Sequence, residues 1–146
     1  MSYQKILIVT DDNPSALKAA ICGYELARQL KAKVALLGVV EEALTEGNVD
    51  AGIFPKDAKH DMKQQMEEFL SNIEKEYSKG VKTERFAPEG EVKETVLQMS
   101  RTWKADLIVA GTHGRKGLSR LLEGSMAEGV LRDSKVPLFI VPMDKE

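Results

Sequence analysis

Apolar positions along this chain alternate between two periods. Lys5 to Val9 contains an unbroken apolar run, Ile6-Leu7-Ile8-Val9, short and mostly β-branched, which predicts a strand buried on both faces. Leu17, Ala20, Ile21, Tyr24 and Ala27 then recur at helical spacing, predicting a helix that ends near Leu30. Val34 to Val40 reads as a second buried strand. Met62, Met66, Phe69, Leu70, Ile73 and Tyr77 mark a long amphipathic helix closed by Gly80. Val81 to Phe86 alternates with polar residues, which predicts an edge strand. Val92, Val96, Met99 and Trp103 give a third helix, and Ala105 to Ala110 a fourth strand. Met126, Ala127, Val130 and Leu131 give a last helix before a fifth strand in "VPLFIVP".

Strands separated by helical crossovers of this length lie parallel, with right-handed connections. The pattern predicts a doubly wound α/β fold. Its five-stranded, mostly parallel sheet carries helices on both faces, in the order 3-2-1-4-5. With no repeat and no linker, residues 1–146 read as one domain. In such folds ligands bind beyond the carboxyl ends of the strands, where strand order reverses. Glu41 to Asp61 is long for a strand-to-helix connection and leaves that same end. A lid, a partner surface and a plain surface loop all fit it.

Composition narrows the function classes. Apolar residues make up 42% and charged residues 30%, ordinary values for a globular protein. A net charge of −2 implies no general attraction to nucleic acid. No stretch approaches the roughly 18 apolar residues of a membrane span. The lone cysteine, Cys22, sits in an apolar helical pattern and forms no internal disulfide, which fits a reducing compartment. The expectation is a cytoplasmic protein without nucleic-acid or membrane partners.

The candidate chemistry lies after the fourth strand, in "GTHGRKGLSRLLEGS", residues 111 to 125. Gly111, Gly114 and Gly124 allow close approach of backbone to a ligand. Exposed amides ahead of a helix N-terminus make a phosphate cradle. The spacing fits neither the dinucleotide fingerprint nor a Walker loop, and Ser119 lacks the second glycine of a nucleophile elbow. Ser125 with Glu128 also reads as a capping box, a role compatible with facing a phosphate. His113 reads as a loop-ordering residue, since no partnered nucleophile is apparent. His60 has no supporting neighbours, so no metal site is expected.

Gly111-x-x-Gly114, nine intervening residues, then Gly124-Ser125 is similar to the G-2x-G-9x-G-[ST] signature of universal stress proteins. "KILIVTD", "VALLGVV", "GEVKETV" and "VPLFIVP" resemble further parts of that family, nearly end to end. The resemblance to its nucleotide-binding branch implies an ATP site, with AMP or ADP as alternatives and room for Mg²⁺ beside the nucleotide. Gly111, His113, Gly114, Gly124, Ser125 and Met126 would line the ribose and phosphates. Thr10 and Asp11 would meet adenine, with Val39 beside its ring. A homodimer through the carboxyl-terminal strand is also implied. Val9, Gly38 and Val92 depart from the family, which usually has proline, histidine and proline there.

"ILIVTDD" also resembles the opening strand of response-regulator receivers, where paired acids hold Mg²⁺. That reading needs an aspartate ending strand three and a lysine ending strand five. The sequence has "RFAPEG" and "FIVPMD" instead. Asp11 therefore reads as a hydrogen-bond acceptor, and Asp12 as solvated or helix-capping. The leading function is an ATP-binding regulatory protein in the stress response. A slow ATPase without an assigned catalytic residue and a nucleotide-free interaction module, each with an unknown protein partner, are the alternatives.

Overall fold

Ile6 and Ile8 face one side of a sheet and Leu7 and Val9 the other, and all four are buried. That is the consequence of a continuous apolar strand between two helical layers. The computed structural model describes residues 2–10, 14–41, 55–111 and 126–142. Among these residues there are seven strands: β1 (Lys5–Thr10), β2 (Lys33–Gly38), β3 (Val40–Glu41), β4 (Thr83–Phe86), β5 (Glu89–Gly90), β6 (Leu107–Gly111) and β7 (Leu138–Val141). Four helices accompany them among the described residues: α1 (Pro14–Leu30), α2 (Pro55–Tyr77), α3 (Val92–Thr102) and α4 (Met126–Asp133).

The main sheet runs β4-β2-β1-β6-β7 with every neighbouring pair parallel. Counting only the five strands read from the sequence, this is the order 3-2-1-4-5. Ala19, Ala20, Tyr24 and Ala27 of α1 pack with Leu70 and Ile73 of α2 on one face. Val96 and Leu97 of α3, Trp103, and Val130 of α4 cover the other. Each fully buried Leu, Ile or Val contributes about 1.5–3 kcal/mol. The core therefore sits in two layers on either side of β1.

Several expectations need correction. α2 begins at Pro55, two turns before Met62, so residues 55–61 are helix and not connection. Both α1 and α2 open on proline, whose fixed φ and missing N–H suit the first helical turn. The remainder of the 41–61 segment, 42–54, lies outside the described residues. Leu17 and Leu131, members of the apolar helical patterns, are exposed. β4 is an edge strand with two exposed central residues, as its polar alternation predicts.

The small β3–β5 pair was not foreseen. Leu37 partners Phe86 and Val40 partners Glu89, which is one continuous offset. Pro88 stands in the gap. Its missing N–H interrupts the ladder, while its carbonyl accepts from the Val40 amide at 2.8 Å. The pair is thus the β2–β4 ladder carried past the sheet's carboxyl edge.

Candidate functional site

β1, β2 and β6 are neighbours, and their carboxyl ends are Thr10, Gly38 and Gly111. The chain runs from β1 outward through β2 to β4, then returns to β6 on the opposite side of β1. The reversal therefore falls between β1 and β6, between Thr10 and Gly111. A crevice at this position is where open α/β sheets take ligands.

Thr10 is only 5% exposed, and its hydroxyl donates to the Leu37 carbonyl at 2.9 Å. That bond satisfies a buried polar group and ties the ends of β1 and β2 together. Val39 bridges β2 and β3 and is buried in the α3–α4 cluster with Val9, Leu37 and Ala110. Gly111 is buried and pairs with Val141. Met126 is the first residue of α4. The structure thus brings Thr10, Val39 and Gly111 to one edge. Asp11, His113, Gly114, Gly124 and Ser125 lie outside the described residues, as does the side chain of Met126.

Two contacts that the sequence does not announce shape this edge. A Cβ on Gly38 would lie 2.3 Å from Met66 Sδ, so α2 rests against the bare backbone at the end of β2. Histidine there, the residue common in the resembled family, requires Met66 to move. On the other face, a Cβ on Gly129 would come within 2.8 Å of Lys93 Cδ. The Lys93 stem crosses α4 at that point, and its ammonium reaches Asp133 Oδ2 at 2.8 Å. The hydrogen bond from Lys93 holds the Asp133 carboxyl below its ordinary range, and the charges of Lys93 and Arg132 add to this. α3 is itself started by Glu91, whose carboxylate accepts from the Lys93 and Glu94 amides at 3.2 and 2.8 Å. Lys93 thus ties α3 to α4.

Among the described residues, no three histidine, cysteine, aspartate or glutamate side chains form a metal site. No helix among them is long and apolar enough to cross a membrane.

The universal stress protein family model matches residues 2–142. The chain belongs to that family. Universal stress protein MJ0531 of Methanocaldococcus jannaschii is 32% identical over 145 residues, covering 99% of this chain and 85% of the relative. The solved structure of MJ0577 superposes with a TM-score of 0.81 at 25% identity, covering all of both chains. A universal stress protein from Archaeoglobus fulgidus, solved in complex with dAMP, shares the fold with a TM-score of 0.65 at 19% identity. That match covers 97% of this chain and 99% of the other. This universal stress protein therefore has the family's doubly wound sheet, and its strand order agrees with the one its apolar pattern predicts.

Proposed function

We propose that this universal stress protein binds an adenine nucleotide, ATP foremost, and acts as a nucleotide-dependent regulatory protein in the cytoplasmic stress response. The observation that carries the reading is the convergence of Thr10, Val39 and Gly111 at the reversal of strand order. Gly114, Gly124 and Ser125 belong to the segment that starts at this edge and ends at the N-terminus of α4. Backbone amides ahead of that helix would hold the phosphates. Asp11 would accept from the base, and His113 and Met126 would complete the ribose side. The dAMP complex of a relative with the same fold supports an adenine nucleotide. The pattern names no general base or arginine finger, so regulation by the bound state is favoured over rapid turnover.

Titration calorimetry of the protein, stripped of co-purified ligand, tests this. ATP is expected to bind more tightly than GTP. Gly114→Asp should weaken ATP by roughly a hundredfold or more, because a carboxylate would stand beside the phosphates; that corresponds to about 3 kcal/mol. Asp11→Ala should lower the preference for ATP over GTP while leaving inorganic triphosphate binding intact. Absence of ATP binding at millimolar concentration would sink the proposal.

The same reading includes a homodimer through β7. This strand is one of the sheet's two edges and presents Phe139 at 43% exposure. An open apolar edge of this kind tends to be paired or covered.

A further inference from the structure

The amino ends of the strands, opposite the carboxyl ends that form the candidate site, gather positive charge. β1 and β2 open on Lys5 and Lys33, and Lys82 stands one residue ahead of β4. Lys5 and Lys33 are register partners, and the Val34 amide donates to the Lys82 carbonyl at 2.9 Å. Like charges on adjacent strands oppose pairing. The helices add Lys31 after α1 and Lys79 after α2, both in the left-handed region with φ of 56° and 41°. A lysine bears a strain there that glycine does not. A cation near a helix C-terminus complements the dipole. That accounts for Lys31 and Lys79, but not for the row of strand lysines beside them.

These residues surround an open groove of about 810 Å³. Its cations are Lys5, Arg28, Lys31, Lys33, Lys79 and Lys82, and its lining residues include no Asp or Glu; the carboxylate next to it, Asp106, is engaged by the Gln4 and Lys5 amides at 2.9 and 3.0 Å. Two of the six are committed to the fold. Lys5 donates to the Trp103 carbonyl with its ammonium 4.5 Å from the indole centroid. Arg28 donates to the Tyr77 carbonyl at 3.2 Å, at the end of α2. Lys31, Lys33, Lys79 and Lys82 make no ion pair among the described residues. The lining also includes two apolar side chains, Leu30 at 40% exposure and the half-buried Val81.

We propose that this groove docks an acidic segment of a partner protein, with one apolar side chain on Leu30 and Val81 and carboxylates among the four lysines. Charge complementarity selects an anion. Leu30 and Val81 favour a peptide with an apolar side chain over a nucleic acid, because the lining offers no aromatic ring on which a base could stack. The groove lies at the amino edge, so the inference stands apart from the nucleotide site.

Fluorescence anisotropy with the full chain tests it. The probe is a labelled peptide of Asp and Glu around a central Leu, with an Asn/Gln counterpart and oligo-dT as comparisons. The acidic peptide is expected to bind saturably and to weaken as salt rises. The variant Lys31→Gly/Lys33→Gln/Lys79→Gly/Lys82→Gln should lose at least about tenfold in affinity. Its two glycines relieve the left-handed backbone, so its melting temperature should not fall, and its ATP titration should match wild type. Replacing the peptide's Leu with Ser should weaken binding to wild type but not to Leu30→Ser. Three results would each overturn the proposal: no saturable binding at millimolar peptide in low salt, equal binding by the quadruple variant, or oligo-dT binding as tightly and being lost in that variant.

Discussion

Tyr24 is fully buried with its hydroxyl 3.0 Å from Thr83 Oγ1. Burial pushes its phenol from 10.0 up to about 12, against a lowering by the Thr83 hydrogen bond and with a further rise from Glu74. The unfolded chain releases this proton at the lower pH, so stability is full below about pH 10 and falls towards pH 12. The loss is about 2–3 kcal/mol. Tyr24→Phe should remove that part of the alkaline slope, read by urea unfolding at about pH 9 and about pH 11. A slope equal to wild type would assign the alkaline loss to other groups. Val92 leads to a second expectation. It opens α3 after Glu91, whose φ of −81° and ψ of 135° are what a following proline demands. Val92→Pro should stabilise by about 0.4–1 kcal/mol through the unfolded chain, measurable as a higher urea midpoint. A lower midpoint would mean that the packing of the Val92 side chain outweighs the gain.

At the scale of elements, β7 carries the clearest prediction. Phe139 is the variant of choice for breaking the proposed dimer, because it is exposed while Val141 on the same face is buried. Phe139→Lys should shift light scattering from dimer to monomer at micromolar concentration with little loss of melting temperature. A wild-type monomer would remove the dimer altogether. The strands and helices of the main sheet were legible because their periods are unambiguous: Ile6 to Val9 can only be buried on both faces, and Thr83 to Phe86 only on an edge. The start of α2 was not, because residues 55–61 are polar and its signal was Pro55 alone. The β3–β5 pair escaped because two-residue strands have no period. At the site, the strand ends at Thr10 and Gly111 were legible from the apolar runs before them. The roles of Gly38 and Gly129 were not, because they depend on Met66 and Lys93 arriving from distant helices.

For the whole molecule, ligand binding and folding are linked. A nucleotide that binds only the folded chain stabilises it by roughly 2.7 kcal/mol at a hundred times its Kd. At about 2–4 °C per kcal/mol, saturating ATP should raise the melting temperature by roughly 5–10 °C. Gly114→Asp should abolish the rise, and an unchanged wild-type melting temperature would count against the site. The placement of β1 between β2 and β6 has another consequence, for biosynthesis. β1 pairs with β2 soon after it leaves the ribosome, but its other edge must wait for β6. The Gln4 amide finds the Asp106 carboxylate across 102 residues of chain. At about 5–20 residues per second, Ile6 to Val9 keep one unpaired edge for roughly 5–20 s. Every nascent copy therefore passes through an interval in which this continuous apolar run can be captured by a chaperone or by another chain.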